Sequence, residues 1–278
     1  MPYLSNYRRL INRIDNVLRL PPIDRILLPL TDAAEDIKDN FGFVVLSDGS
    51  TGPFYSCLGD TLEWLRQNAH HSIGESPSEI ARGLDGIDLP RSALALGAFN
   101  ALSQYLLKRA GFDPTTAGKP DDADQPEGLV GIVGFFRPLV ERYLARGTEV
   151  IVIEQQPERV PPDLGLELFT TPQALARCDT VLCTASTLIN NSIESIVQAA
   201  GNPAKIHLIG PSASGLPDLL FDLGIRSSGG VIIDRPRDLE RAIAQGDSWG
   251  DCGRKYQLTR ESYPGLDSLL RTACREAV

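Results

Sequence analysis

The chain has 278 residues, 42% hydrophobic and 23% charged, which excludes wholesale disorder and gives enough length for one large or two ordinary domains. Its net charge is −9, from 36 acidic against 27 basic side chains with no Lys/Arg block, so it is a poor candidate for gripping a nucleic-acid backbone. No apolar run approaches the ~18 residues of a membrane span, and no membrane partner is expected.

The opening MPYLSNYRRLINRIDNVLRL carries Leu4, Tyr7, Ile11, Ile14, Val17 and Leu18 at helical spacing, with Asp15 interrupting its basic residues. It reads as the first helix of the fold rather than as a transit peptide. Two β-like runs follow, IDRILLPL (23–30) and FGFVVLSDG (41–49), limited by Pro29 and by the Ser-Asp-Gly turn. GDTLEWLRQNA predicts a short helix capped by Asp60 or Thr61. The strongest helix is LPRSALALGAFNALSQYLLKRAG (89–111), with Pro90 near its start and Gly111 past its last turn. This half is α+β. The stretch GFDPTTAGKPDDADQPEG (111–128), with three Pro, three Gly and five acidic residues, has the composition of a linker. Its Asp121, Asp122 and Asp124 lack the ligand spacing of a calcium loop. The expected division is a domain over 1–115, a linker over 116–128 and a second domain over 129–278.

Downstream, strands alternate with helices. LVGIVGFF (129–136) is a strand, PLVERYLARG a helix, EVIVIE (149–154) a strand and LELF a short one. A helix opens at Thr171-Pro172, TVLCTA (180–185) is a strand, and another helix starts at about Ser186. KIHLIG (205–210), a helix around LPDLLFDLG, GVIID (230–234) and the helix PRDLERAIAQG complete the series. Strands apolar on both faces imply an α/β fold, a Rossmann-like doubly wound parallel sheet with right-handed crossovers. The run WGDCGRKYQLTRESY (249–263) is either a flap over the site or a surface tail.

Ligands of such sheets bind beyond the carboxyl ends of the strands. At the first end stand Gly131 and Gly134, followed by Phe135, Phe136 and Pro138. This is no GxGxxG fingerprint, and the glycine-rich signature of S-adenosylmethionine methyltransferases is absent too. Gly134 permits a tight turn or admits a ligand. At the second end Glu154 either receives ribose hydroxyls or is solvated. The third end gathers Thr184, Ser186, Thr187, Asn190, Asn191 and Ser192. Ser186 or Thr187 can cap the helix, but one cap does not account for six polar residues, and the cluster reads as a pocket wall for an anion or a carboxylate. The fourth end, Gly210, Pro211, Ser212 and Ser214, is a second anion site or a capped turn.

Metal and catalytic signals are thin. The five cysteines, Cys57, Cys178, Cys183, Cys252 and Cys274, are scattered and odd in number, as reduced cytoplasmic thiols would be. Cys178 and Cys183 cannot converge as neighbouring ligands, and Cys57 and Cys183 read as small buried groups. His70-His71 reads as a solvated pair and His207 as packed within its strand. No metal-ligating residue is assigned. There is no GxSxG elbow, no HExxH and no legible Cys/His pair, so no catalytic residue is assigned; Glu154, Asp48 and Glu63 are the candidates for proton transfer if they reach the cleft.

Taken together, VGFFRPL, VIE, ASTLINNS and GPSA resemble the signature of the putative heavy-metal chelation family of uncharacterised prokaryotic proteins, and RSALALGAFNALS (91–103) extends the resemblance into the N-terminal half. The resemblance implies an enolase N-terminal-like part, a Rossmann-like C-terminal domain and a site in the cleft between them. The residues it carries over are Gly134, Phe136, Pro138, Glu154, Ser186, Thr187, Asn190, Ser192, Gly210, Pro211 and Ser212. Ala185 stands where Gly is expected in relatives and Asn191 replaces a second small residue, and both are expected to narrow the pocket. The resemblance implies a location and no reaction; the expected function is small-molecule binding, by an enzyme acting on a polar or anionic metabolite or a chelator precursor in the interdomain cleft, with a place in metal homeostasis. The alternatives are a non-catalytic carrier of a metal chelate and an enzyme using a nucleotide-type cofactor, NAD or S-adenosylmethionine. The ligand, nucleoside-like or a metal chelate, and homo-oligomerisation are left open.

Overall fold

The computed structural model describes residues 2–30, 40–117, 128–201 and 205–275. The amphipathic opening forms α1 (Pro2–Asp15). Next comes an antiparallel three-stranded sheet, in the order β1 (Ile23–Leu27), β2 (Phe41–Leu46) and β3 (Thr51–Tyr55). The run expected at 41–49 therefore stops at Leu46, and a strand that sequence reasoning passed over begins at Thr51. Gly52 and Pro53 disguise it; both are tolerated because β3 is an edge strand, where a missing N–H breaks no ladder. Two short helices, α2 (Thr61–Asn68) and α3 (Pro77–Ala81), lead to the long α4 (Leu89–Arg109). In α2 neither expected cap forms: Asp60 makes no side-chain cap bond and the Thr61 hydroxyl donates back to Leu58 O.

α4 is the axis of the molecule. Asp88 caps it by accepting from Arg91 N at 3.1 Å, and every residue from Ser92 to Gln104 is buried. A helix apolar all round is stable only when enclosed. The enclosure on one side is β3. A Cβ on Gly52 would lie 2.1 Å from Gly97 O, and a Cβ on Gly97 would lie 2.3 Å from the Phe54 ring, so the two glycines bring backbone against backbone.

After α5 (Pro114–Ala117) the alternating region builds a seven-stranded sheet. Its elements are β4 (Val130–Val133), α6 (Arg137–Ala145), β5 (Val150–Ile153), β6 (Glu167–Phe169), β7 (Thr180–Thr184), α7 (Ser186–Ile189) and α8 (Ile193–Ala200). They continue through β8 (Lys205–Ile209), α9 (Asp218–Asp222), β9 (Ser227–Ile233), α10 (Pro236–Gln245), β10 (Gly253–Thr259) and α11 (Leu266–Arg275). The order across the sheet is β10-β9-β8-β7-β4-β5-β6; all pairs are parallel except β10 with β9. Side chains alternate between faces as the two-residue period requires: Val150 and Val152 join one apolar cluster with α6, Ile151 and Ile153 the other. The chain is thus α/β, a mostly parallel sheet beside a smaller antiparallel one. Strand order reverses between β4 and β7, which fixes where a crevice opens.

Three expectations are corrected here. The helix expected from Thr171-Pro172 is a 3-10 stretch, Pro172–Arg177. The helix expected from Ser186 is broken into α7 and α8. The run 249–263 is neither flap nor tail, because β10 is the outermost strand of the large sheet. Most of the expected linker, residues 118–127 with Asp121, Asp122 and Asp124, lies outside the described residues.

The two sheets are joined through polar side chains of α4. Asn100, fully buried, donates from Nδ2 to Pro53 O of β3 at 2.7 Å and to Ser212 O of the loop after β8 at 2.9 Å. Gln104 Nε2 donates to Ser214 O at 2.7 Å, and the Ser103 hydroxyl accepts from Leu216 N at 3.2 Å. One apolar cluster runs continuously from Tyr7 and Phe54 through α4 to Val181 and Leu208. Replacing Asn100 by Leu strands two buried carbonyls, so we expect Asn100→Leu to lower the unfolding free energy by about 2–4 kcal/mol, measured by urea denaturation. A loss below ~1 kcal/mol would contradict this role for the carboxamide.

Candidate functional site

The β4–α6 turn is made by Gly134, at φ +85°, a conformation L side chains rarely adopt. A Cβ there would also lie 2.8 Å from Thr184 Cγ2, so the first and third strand ends meet at the switch point only because this residue is glycine. Glu154, 8% exposed, closes the second strand end. Its Oε2 accepts from Phe135 N at 2.8 Å and its Oε1 from Gln156 N at 3.0 Å. The carboxylate therefore clamps two loops together, and each oxygen already holds a main-chain amide. Phe136 and Pro138 begin α6 and are exposed; neither lines the crevice described below.

The polar cluster after β7 divides in two. The Thr187 hydroxyl donates to Thr184 O at 2.7 Å, and neither it nor Ser186 caps α7, correcting the expected capping. Asn190 Oδ1 accepts from the Ser192 hydroxyl at 2.6 Å and from Ser192 N at 3.2 Å. Asn191, at φ +52°, takes the left-handed conformation that Asn tolerates best after Gly and so ends the first helix. It packs against the N-terminal half, where a Cβ on Gly86 would lie 2.3 Å from Asn191 Cβ. Thr187, Asn190 and Ser192 thus shape the break between α7 and α8. Thr184 and Ser186, whose hydroxyl oxygens lie 3.2 Å apart, stay at the rim.

At the fourth strand end Gly210, at φ +105°, has open space where a Cβ would stand, and Pro211 starts the 3-10 turn Pro211–Ala213. The Ser212 hydroxyl accepts from Tyr55 N at 2.8 Å, which fixes the end of β3 against this loop. Ser214, fully buried, donates to Pro211 O and accepts from Val231 N.

What converges is a crevice of about 30 Å³ between the small sheet and the rim of the large one, lined by Phe41, Tyr55, Thr184, Ser186, Gly210 and Ser212. Outside this lining Arg159, in the turn after β5, donates from Nη2 to Tyr55 Oη at 3.4 Å. Burial raises the Tyr55 phenol above its ordinary value; Cys57 and Glu154 push the same way, against the opposing pull of Arg159. The Arg159 guanidinium is itself held above its usual range by Tyr55, Glu154 and Cys57, although burial works against it. At neutral pH the mouth therefore presents a protonated phenol and a guanidinium beside two hydroxyls, all hydrogen-bond donors suited to an anionic oxygen.

Phe41, Tyr55 and Arg159 were not found from sequence. The signal for Arg159 was available, a cation in a loop at a strand's carboxyl end; Tyr55 was hidden with its strand. Asp48 lies at the far end of the β2–β3 hairpin, ion-paired with Lys108 at 3.0 Å, and Glu63 is exposed on α2. Neither lines the crevice.

Among the described residues no group of three His, Cys, Asp or Glu side chains is placed to hold a metal. Burial pushes the Cys183 thiol up to about 12 and the Cys178 thiol up to about 11, and raises Cys252 as well. Each of these thiols is buried and none belongs to a group of three candidate ligands among the described residues, which does not fit a protein-held heavy metal. Cys57 is half-buried rather than buried, and His207 is packed as expected, at 2% exposure.

A family profile described as putative heavy-metal chelation matches residues 122–261, about half of the chain. An uncharacterised protein of Methanocaldococcus jannaschii is 24% identical over 217 residues, covering 73% of this chain and 81% of that protein. Two crystal structures of proteins of unknown function from the same family, DUF364, are similar throughout. The one from Pyrococcus horikoshii has a TM-score of 0.67 and 20% identity, covering 92% of this chain and 99% of its own. The one from Desulfitobacterium hafniense has a TM-score of 0.69 and 17% identity, covering 93% and 98%. At these identities the likeness speaks for the fold alone.

The thiol environments predict an order of alkylation. With iodoacetamide at pH 8 followed by peptide mass spectrometry, we expect Cys274 to react first and Cys57 next. Cys178, Cys183 and Cys252 should stay unmodified until denaturant is added. Labelling of Cys183 as fast as Cys274 would refute the assigned burial.

Proposed function

The chain belongs to the putative heavy-metal chelation family, and from that premise we propose that it binds a small polar or anionic metabolite in the crevice between its two lobes, as an enzyme acting on a chelator or its precursor. We take residues 1–115 and 129–278 as those lobes. The observation that supports this reading is that Tyr55, which lines the crevice with Thr184, Ser186 and Gly210, is met at its hydroxyl by Arg159 from the other lobe.

The arrangement suits an oxyanion. Arg159 supplies charge and a planar fork of donors, Tyr55 a phenol that keeps its proton, and the Thr184 and Ser186 hydroxyls finish the shell. Gly210 leaves room for a ligand atom close to the backbone. As it stands the crevice holds little more than a water molecule, so a metabolite enters by breaking the Tyr55–Arg159 contact, after which the guanidinium on its exposed turn is available to the ligand. Beneath the crevice the Asn100 and Ser212 bonds keep the lobes fixed. The family's description then fits a metal carried by the organic ligand better than one held in a cage of protein thiols.

Two other readings share the same pocket. A carrier of a metal chelate would need the binding groups and no proton transfer. A nucleotide-cofactor enzyme would want a free carboxylate for ribose, and the amides already on Glu154 weigh against it.

The test is thermal shift of the wild type against free chelators, their metal complexes, NAD and S-adenosylmethionine. A ligand of this crevice at about 100 times its Kd should raise Tm by roughly 5–10 °C. In Arg159→Gln, and to a lesser extent Ser186→Ala, we expect most of that rise to vanish. Equal stabilisation of wild type and Arg159→Gln would place the ligand elsewhere and end this reading. Tyr55→Phe separates enzyme from carrier: binding retained with turnover lost marks the phenol as the proton donor.

A further inference from the structure

At the opposite rim of the large sheet lies a cavity of about 300 Å³, some tenfold larger than the crevice and at the lower end of the range for small-molecule sites. It opens where β9 begins and β10 ends, at the paired residues Ser227 and Thr259. Its floor is polar although deeply buried. His207, 2% exposed, and Ser227, 1% exposed, face each other from neighbouring strands with Nδ1 and Oγ 2.7 Å apart. Gln257 Nε2 donates to the same Ser227 oxygen at 2.6 Å. Buried strand positions are filled at lower cost by apolar residues, so a hydrogen-bonded chain at the floor of a cavity marks a place where polar contact matters.

The rim carries two guanidiniums. Arg260 lies over the Phe221 ring at 5.7 Å, a stacking that limits its freedom, and its 3.5 Å contact with Asp222 is an exposed and therefore weak pair. Arg226 stands at the start of β9, adjacent to Ser227, and lines the same cavity. Glu261 also lines it; its own backbone N–H and the Thr259 hydroxyl hold its carboxylate below the usual range, with Arg226 and Arg260 pulling the same way, so a bound anion would take the two arginines over from this carboxylate.

We infer that this cavity is a second ligand site, taking a small metabolite by its carboxylate, with Arg226 and Arg260 gripping the anionic end and the His207–Ser227 pair meeting a polar group further in. The planar fork of an arginine matches a carboxylate in two parallel hydrogen bonds, and two such forks at the mouth of a hydroxyl-floored cavity select an oxyanion over a cation. The site is separate from the crevice, at the other end of β8, and does not rest on the reading given for it.

The probe is succinate, with inorganic phosphate as comparator, added to the full chain while its three histidines are followed by NMR. Succinate should move the His207 resonance saturably and leave those of His70 and His71 in place. Arg226→Gln/Arg260→Gln, two changes at exposed positions, should weaken the response at least tenfold while circular dichroism stays unchanged. Arg159→Gln, which alters the crevice, should leave it intact. The inference is overturned if His207 shows no saturable response to succinate, if the double arginine variant binds as the wild type does, or if Arg159→Gln abolishes the effect. Saturation by phosphate with no response to succinate would overturn the carboxylate assignment.

Discussion

The geometry of the molecule hangs on one buried carboxamide. Asn100 holds the carbonyl of Pro53 in the small sheet and the carbonyl of Ser212 beyond the large one, and neither carbonyl has water to fall back on. Beside it, Tyr55 N donates to the Ser212 hydroxyl. These bonds set the height of the crevice floor and the angle at which Tyr55 faces Ser186. They also make hinge opening costly, because parting the lobes would strand several buried groups at once. Motion at the crevice is left to side chains and to the turn that carries Arg159.

The switch point of the large sheet is built for close contact between strand ends. Gly134 lies against Thr184, and Glu154 staples the loops after β4 and β5 through their amides. In dinucleotide-binding sheets the corresponding turn leaves its amides facing a pyrophosphate and its acidic residue facing a ribose. Here the turn amide of Phe135 and the acid satisfy each other. The same strand order thus leaves neither that amide nor that acid free for a dinucleotide, and the proposed site draws its donors from Tyr55 and Arg159 instead.

Much of the large sheet was legible in the sequence because its strands, buried on both faces, are short apolar runs bounded by glycine. What escaped did so for identifiable reasons. β3 was lost because Gly52 and Pro53 look like turn residues, although the glycine is there for contact with Gly97 and the proline sits on an open edge. β10 was lost because an outer strand can carry Arg254 and Lys255 and still pair along its length with β9. The polar cluster from Thr184 to Ser192 was seen, but spacing alone could not tell hydroxyls that turn the chain from hydroxyls that face a crevice. Tyr55 and Arg159 are neighbours only through the tertiary fold, 104 residues apart, and no local pattern joins them.

The enclosure of α4 has a kinetic consequence. Asn100 meets Ser212 across 112 residues of chain and Gln104 meets Tyr256 across 152, so the helix acquires its permanent surroundings only after most of the polypeptide is available. Long-range closures of this kind slow folding far more than they alter stability. During synthesis an apolar helix emerges early and waits for its cover, a period in which association with a chaperone would compete with aggregation.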